Sequence, residues 1–234
     1  MGMAGLLEVL ALSEADARRA EEGGADRVVI YGSSEGVGKA PEPALVERVR
    51  RNTELPIRVL LRLRDDYTTT GGEVARLIGL IAAYLEAGAD GMQLGFINRL
   101  DEVDTDVVEA LTEDLEFPIT FDCLDQLLFP EKGWDEVLSM TQVDHILTAG
   151  SPRGMETGLD GLLRTVRDRP GLAGFVLAGQ GLTPEHVPWL ARAGVSAFTV
   201  SAQVRPAGSF KSQVDALLVS TWRALVDDSV ARAN

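Results

Sequence analysis

Cysteine and histidine are nearly missing from this 234-residue chain, which holds one Cys and two His. A single cysteine excludes a disulfide framework within the chain, and with two histidines it leaves few soft metal ligands. Basic residues are also short. Lys+Arg number 22 against Asp+Glu 36, a formal net charge of −14, which argues against a nucleic-acid backbone or an anionic membrane as partner. No apolar run is long enough to span a bilayer. Ala4 to Leu12 is broken by Glu8 and falls well short of about 18 residues. It has neither the basic leader nor the cleavage site of a signal peptide. The expectation is a soluble, cytoplasmic protein, with a homodimer left open. What is present is ordinary: 45% apolar and 25% charged residues, a globular composition that excludes disorder. The length suits one domain over 1–234, since α/β barrels run to about 200–250 residues undivided.

A repeated joint is the strongest internal signal. Gly23-Gly24-Ala25-Asp26 precedes Arg27-Val28-Val29-Ile30; Ala87-Gly88-Ala89-Asp90 precedes Gly91-Met92-Gln93-Leu94; Ala193-Gly194-Val195-Ser196 precedes Ala197-Phe198-Thr199-Val200. Each reads as a helix ended by a left-handed glycine and followed at once by a buried strand. Apolar runs predict strands at 6–10, 27–31, 57–63, 91–97, 117–122, 144–149, 174–179 and 197–201. Helical patterns fall at 13–23, 42–51, 72–87, 104–115, 133–140, 155–168, 184–193 and 211–226. Pro41 and Pro184 suit first helical turns, with Thr183 as a cap. Eight strands alternating with eight helices, at spacings of roughly 20 to 35 residues, predict a single-domain α/β fold of the (β/α)8 TIM-barrel type. An open doubly wound sheet is the alternative.

In such a barrel the chemistry lies at the carboxyl ends of the strands and in the loops that follow. Strand side chains alternate between faces. In Ile57-Arg58-Val59-Leu60-Leu61-Arg62-Leu63-Arg64 the odd positions are apolar, so Arg58, Arg62 and Arg64 should point inward. The same parity sends Glu8, Gln93, Thr120, Asp122, Thr148, Thr199 and Ser201 inside. Buried charges must pair or serve a ligand. Glu8 with Arg62 is therefore one candidate interior ion pair, Arg58 reads as structural, and Arg62 with Arg64 reads as ligand-binding. Two loops have anion-binding character: Ala178-Gly179-Gln180-Gly181-Leu182-Thr183, opening a helix, and Ser201-Ala202-Gln203-Val204-Arg205. Gly32 to Lys39 has the spacing of a phosphate loop, but Ala40 stands where a hydroxyl is needed.

These residues together resemble the CutC copper-homeostasis family of (β/α)8 barrels, to about residue 205. The likeness rests on Leu7-Glu8-Val9, Gly24-Ala25-Asp26-Arg27-Val28, Arg62-Leu63-Arg64, Ile119-Thr120-Phe121, Ile146-Leu147-Thr148-Ala149-Gly150 and Ala178-Gly179-Gln180-Gly181. By resemblance, Glu8, Arg62 and Arg64 match the family's pocket glutamate and Arg-x-Arg pair, and Thr148, Gly150, Gly179 and Gly181 match its loop residues. The resemblance also implies copper, yet the residues credited with it differ. Thr-Phe continues as Asp122-Cys123 instead of His-Arg. Val29-Ile30-Tyr31 replaces Glu-Leu-Cys, and Leu10 and Ala11 replace cysteines. Cu(I) favours thiolates and thioethers, while Cys123 and Met92 have outward parity, His145 lies at the amino end of the barrel and His186 inside helix seven. Mg²⁺ on Asp122, Glu8 or Asp125 is a further option without supporting spacing.

The reading is a barrel-top pocket for a small anionic molecule, lined by Arg62, Arg64, Thr148, Gly150, Gly179, Gly181 and Ser201, in a protein linked to copper homeostasis but without a conventional Cu(I) site. The alternative is a lyase, isomerase or hydrolase acting on a small phosphate or carboxylate. There Glu8 or Asp122 would be the general base. A non-catalytic scaffold barrel is the third.

Overall fold

Each of the three glycine joints turns a helix into a strand. Gly24, Gly88 and Gly194 have φ of 87°, 97° and 94°. The amide after each donates back into the helix: Ala25 to the Ala20 carbonyl, Ala89 to Tyr84 and Val195 to Leu190, at 2.9–3.0 Å. That pattern caps orphan carbonyls and needs a left-handed residue. The aspartates of the first two joints hold the sheet as well. Asp26 Oδ2 accepts the Leu7 amide at 2.7 Å and Asp90 Oδ2 the Ile57 amide at 2.8 Å, so each joint is tied to the strand before it.

The computed structural model describes residues 5–113 and 116–233. Eight parallel strands close in sequence order: β1 Leu6–Ala11, β2 Arg27–Ile30, β3 Ile57–Leu60, β4 Gly91–Leu94, β5 Ile119–Phe121, β6 Val143–Thr148, β7 Val176–Ala178 and β8 Ala197–Val200. The helices outside are α1 Glu14–Glu22, α2 Pro43–Arg50, α3 Gly71–Glu86, α4 Thr105–Thr112, α5 Pro130–Leu138, α6 Met155–Asp168, α7 Val187–Arg192 and α8 Ala216–Ala233. This is the predicted (β/α)8 barrel. The last two residues of the helix expected over 104–115 lie outside the described residues. Among the described residues no helix is long and apolar enough to cross a membrane.

Outward strand residues such as Leu7, Val9, Val28, Ile57, Val59, Phe121 and Ile146 pack with the helices in the main core. A small apolar plug of Leu6, Leu147, Leu177 and Ala197 fills part of the interior. Leu10, Val29 and Leu60 share the inward parity of Glu8, Arg27 and Arg58 and are buried too, and the remaining inward positions are mostly polar or glycine.

Several boundaries differ from the sequence reading, and three of them have a clear local reason. Helix α8 starts at Ala216, not near 211, because the preceding residues are tethered elsewhere. The Val214 amide donates to Asp16 Oδ1 at 2.8 Å, Asp215 donates to the Val204 carbonyl at 2.8 Å, and the Asp215 side chain accepts from Leu217 and Leu218. Helix α7 begins at Val187, with Pro188 in its first turn. Thr183 does not cap it; the Thr183 amide donates instead to His186 Nδ1 at 3.0 Å. Pro41 precedes α2, whose first residue is Pro43.

Helix α6 meets the end of β6 through Gly158. A Cβ there would lie 2.0 Å from the Ala149 carbonyl oxygen and 2.6 Å from the Gly150 carbonyl carbon. Backbone cannot give way as a side chain does. Gly158→Ala is therefore expected to destabilise by about 3 kcal/mol, the upper range of overpacking, read by urea unfolding. A loss no larger than that of Gly161→Ala, where a Cβ has room, would contradict the close-packing role.

Candidate functional site

Strands β2 to β5 carry one connected polar group at their carboxyl ends. Arg62 Nη2 donates to both oxygens of Asp122 at 2.7 Å, and Nη1 to the Val37 carbonyl at 2.7 Å. Gln93 Nε2 donates to Asp122 Oδ2 and to Tyr31 Oη, each at 2.7 Å. The Tyr67 ring covers the Arg62 guanidinium, its centroid 4.2 Å away. Both members of the ion pair are 2% exposed. Burial works to lower the Arg62 pKa, but Asp122 and the two tyrosines outweigh it, so the net shift is upward. Burial also raises Tyr31 and Tyr67, so both phenols stay protonated. Gly95 allows this arrangement, since a Cβ there would sit 2.8 Å from Asp122 Oδ1.

Glu8 pairs with a different arginine than expected. Its Oε2 accepts from Arg27 Nε at 2.6 Å, not from Arg62. Parity tells which face a residue takes and says nothing of which inward residue it meets across the barrel. Lower down, Arg58 donates to Asp144 and to the Pro118 carbonyl. Gly91 makes room for it, as a Cβ there would strike the guanidinium. Arg58 is thus structural.

Arg64 does not point into the barrel. β3 ends at Leu60, alternation survives only as far as Arg62, and the Arg64 side chain is 42% exposed beside Asp66 and Glu73. Arg205, in the loop after β8, is also not free for a ligand. It is buried against Asp16 Oδ2 at 2.9 Å and against the carbonyls of Leu10 and Ser212.

Thr148 does not face the interior as expected, because the adjacent Leu147 takes the inner face of β6, and Asp125 holds it together with Gly150 on the other side. Thr148 Oγ1 donates to Asp125 Oδ1 at 2.6 Å and accepts from the Gly150 amide at 2.9 Å, while the Ala149 amide donates to Asp125 Oδ2 at 2.7 Å. Burial pushes the Asp125 carboxyl up against the downward pull of these bonds. Asp125, Thr148 and Gly150 floor a cleft of about 1230 Å³ that opens between α5 and α6, with Trp134, Arg164 and Arg169 on its walls.

Past β7 the chain runs through Gln180 at φ 56° and Gly181 at φ 86°. A glutamine held left-handed costs about 1 kcal/mol and marks a constrained segment. The amides of Gln180, Gly181 and Leu182 donate to no other group among the described residues. They do not open a helix, contrary to expectation, because α7 starts at Val187. Gly179 serves packing, since a Cβ there would meet the Thr199 methyl at 2.4 Å. Ser201 is tied to the same loop: its amide donates to Gln203 Oε1, and Gln203 Nε2 donates to the Leu182 carbonyl, both at 2.9 Å.

The predicted site residues therefore fall in four places. Arg62 and Asp122 share the closed network, Glu8 sits deeper, and Thr148 and Gly150 border the α5–α6 cleft. Gly179, Gly181 and Ser201 form the β7–β8 rim. Sequence reasoning missed Tyr31 and Arg27, although both share the inward parity of Val29. It missed Tyr67 and Val37 because loop residues carry no periodic signal. Of the soft donors, Cys123, Met92 and Met155 are fully buried in the outer core, and burial raises the Cys123 thiol. His145 Nδ1 is 3.3 Å from Asp144 Oδ1, and His186 lies just before α7 and not inside it, its side chain making no cap bond and Nε2 standing 3.3 Å from Glu156. Among the described residues no three His, Cys, Asp or Glu side chains gather as a metal site.

A closed parallel barrel with polar groups at its carboxyl ends defines the class of (β/α)8 proteins that carry ligand sites on their βα loops. The chain belongs to the CutC family, whose model matches residues 6–204. It is 30% identical over 200 residues to CutC of Klebsiella pneumoniae (strain 342), covering 84% of this chain and 80% of that one. It is 29% identical over 207 residues to CutC of Xylella fastidiosa (strain Temecula1 / ATCC 700964), covering 87% and 77%. The crystal structure of CutC from Streptococcus agalactiae superposes with a TM-score of 0.73 at 19% identity, over 83% of this chain and 97% of that one. Phosphoribosyl anthranilate isomerase from Thermococcus kodakaraensis superposes with a TM-score of 0.62 at 19% identity, over 95% and 99%. These two likenesses concern the fold alone.

Proposed function

We propose that this CutC-family barrel binds a small phosphate- or carboxylate-bearing molecule at its carboxyl-terminal mouth. The observation that carries the reading is the run of three unengaged amides at Gln180, Gly181 and Leu182 in a left-handed turn. Backbone N–H groups presented together attract an oxyanion without a charged side chain. Ser201, just past β8 and tied to this loop through Gln203, stands beside the turn to meet the rest of the ligand, while Thr148 stays bonded to Asp125 at the α5–α6 cleft. Arg62 contributes only when the Val37 carbonyl that occupies its Nη1 moves aside. Arg64 stands outside the proposed contacts.

The copper-homeostasis name attached to the family enters this reading through something other than a conventional Cu(I) site. The donors do not fit one. Cu(I) needs thiolate or thioether sulfur, and here the thiol is driven to its protonated form in the outer core, Met92 and Met155 are buried in that core, and the histidines stand beside carboxylates.

Inorganic phosphate tests the anion site. At a concentration a hundred times the dissociation constant it should stabilise the protein by about 2.7 kcal/mol, several degrees in Tm. Sodium chloride at equal ionic strength should not. Gly181→Ala, which strains the turn that presents the amides, should weaken the response. Equal responses to phosphate and chloride, or an unchanged response in Gly181→Ala, would defeat the reading.

A further inference from the structure

Among the polar atoms sealed from solvent without a hydrogen-bond partner in the described residues are Glu8 Oε1, Arg27 Nη2 and Thr120 Oγ1, all on inward-facing side chains. Glu8 and Thr120 are fully buried and Arg27 is nearly so. They come from β1, β2 and β5, yet they share one region. Arg27 Nε is bonded to the other oxygen of Glu8, and Arg27 Nη1 crosses the interior to within 3.5 Å of His145 Nδ1 on β6. His145 is the register partner of Thr120. The guanidinium therefore bridges from Glu8 to the β5–β6 pair, with Thr120 beside its far end. One donor, one acceptor and one hydroxyl that can be either thus face the same interior without a protein partner.

Buried polar groups in native proteins are almost always satisfied, by protein or by ordered water. A buried water typically makes about three hydrogen bonds to groups that otherwise lack partners. We propose that Glu8, Arg27 and Thr120 form an internal water site. The water accepts from Arg27 Nη2, donates to Glu8 Oε1 and bonds to the Thr120 hydroxyl. The occupant must donate and accept at one point and be small, because neither Glu8 nor Thr120 reaches the surface. Water meets both conditions and a larger anion meets neither.

The site lies between two polar layers. Toward the amino end are Arg58, Asp144 and His145. Two residues further along β5, on the same face, Asp122 joins Arg62 and Gln93. The water links these layers and commits the free oxygen of Glu8 to an internal bond. None of its residues contributes to the three free amides after β7, so this site stands or falls independently of the anion site.

A high-resolution crystal structure should show density within hydrogen-bond distance of all three atoms. Thr120→Val keeps the shape of the side chain and removes only the hydroxyl, which makes the sign of its effect diagnostic. A hydroxyl bonded to water loses a partner and strands that water, so Tm should fall by a few degrees, with Thr120→Ser restoring most of it. A hydroxyl with no partner costs stability, so its removal would raise Tm. Absent density in the wild type, or a Tm increase in Thr120→Val, overturns the proposal.

Discussion

Arg62→Ala should lower stability by about 3–5 kcal/mol, the cost of breaking a buried ion pair, or roughly 10 °C in Tm for a domain of this size. The reason lies in what remains. Asp122 would keep its place at 2% exposure with only the Gln93 amide to meet its charge. The Tyr67 ring would lose the cation it covers, and the Val37 carbonyl its donor. Removing both charges together should be far milder. A buried pair replaced by apolar residues of similar volume is often neutral or stabilising, so Arg62→Met with Asp122→Leu should recover most of the loss. Urea and thermal unfolding of the two single variants and the double variant form the cycle. A cost below about 1 kcal/mol for Arg62→Ala would mean that the pair is solvated in solution, contrary to the closed network.

The Asp16–Arg205 pair should show a loss of similar size from a different cause. Arg205 is buried where the chain leaves β8 and donates to Asp16 and to the carbonyls of Leu10 and Ser212. Asp16 also accepts the amides of Leu12 and Val214. One ion pair thus ties the end of β1, the start of α1 and the approach to α8. Arg205→Ala should cost about 3–5 kcal/mol and leave phosphate binding unchanged under conditions where the variant is folded. Calorimetric titration of the folded variant checks this. Loss of phosphate binding with the fold intact would bring Arg205 into the ligand site, at the end of a loop whose sequence has anion-binding character.

Much of this architecture was legible in the residues. The glycine joints were readable because a left-handed residue after a helix has few chemical solutions. Parity placed Glu8, Gln93, Thr120, Asp122 and Arg62 inside because strand geometry enforces alternation. The same rule failed at Arg64, two residues further along, because it holds only while the chain remains extended. It also named the wrong partner for Glu8. Leu10 and Asp16 lie far from Arg205 in sequence, so no local pattern could reveal that the arginine after β8 was already engaged.

The scarcity of cysteine and histidine, visible at once, acquired its weight from where those residues sit. Composition limits how many soft ligands exist, and only packing decides that Cys123 lies in the outer core while the histidines stand beside carboxylates. The sequence by itself determined the number and order of the barrel units, since helix ends, strand runs and face alternation are local consequences of residue type. The tertiary structure alone decided which charges neutralise one another and which remain available. It also decided where the helix ring opens and which backbone amides stay free. Those outcomes depend on distances between residues remote in the chain, and no local pattern encodes a distance across a barrel.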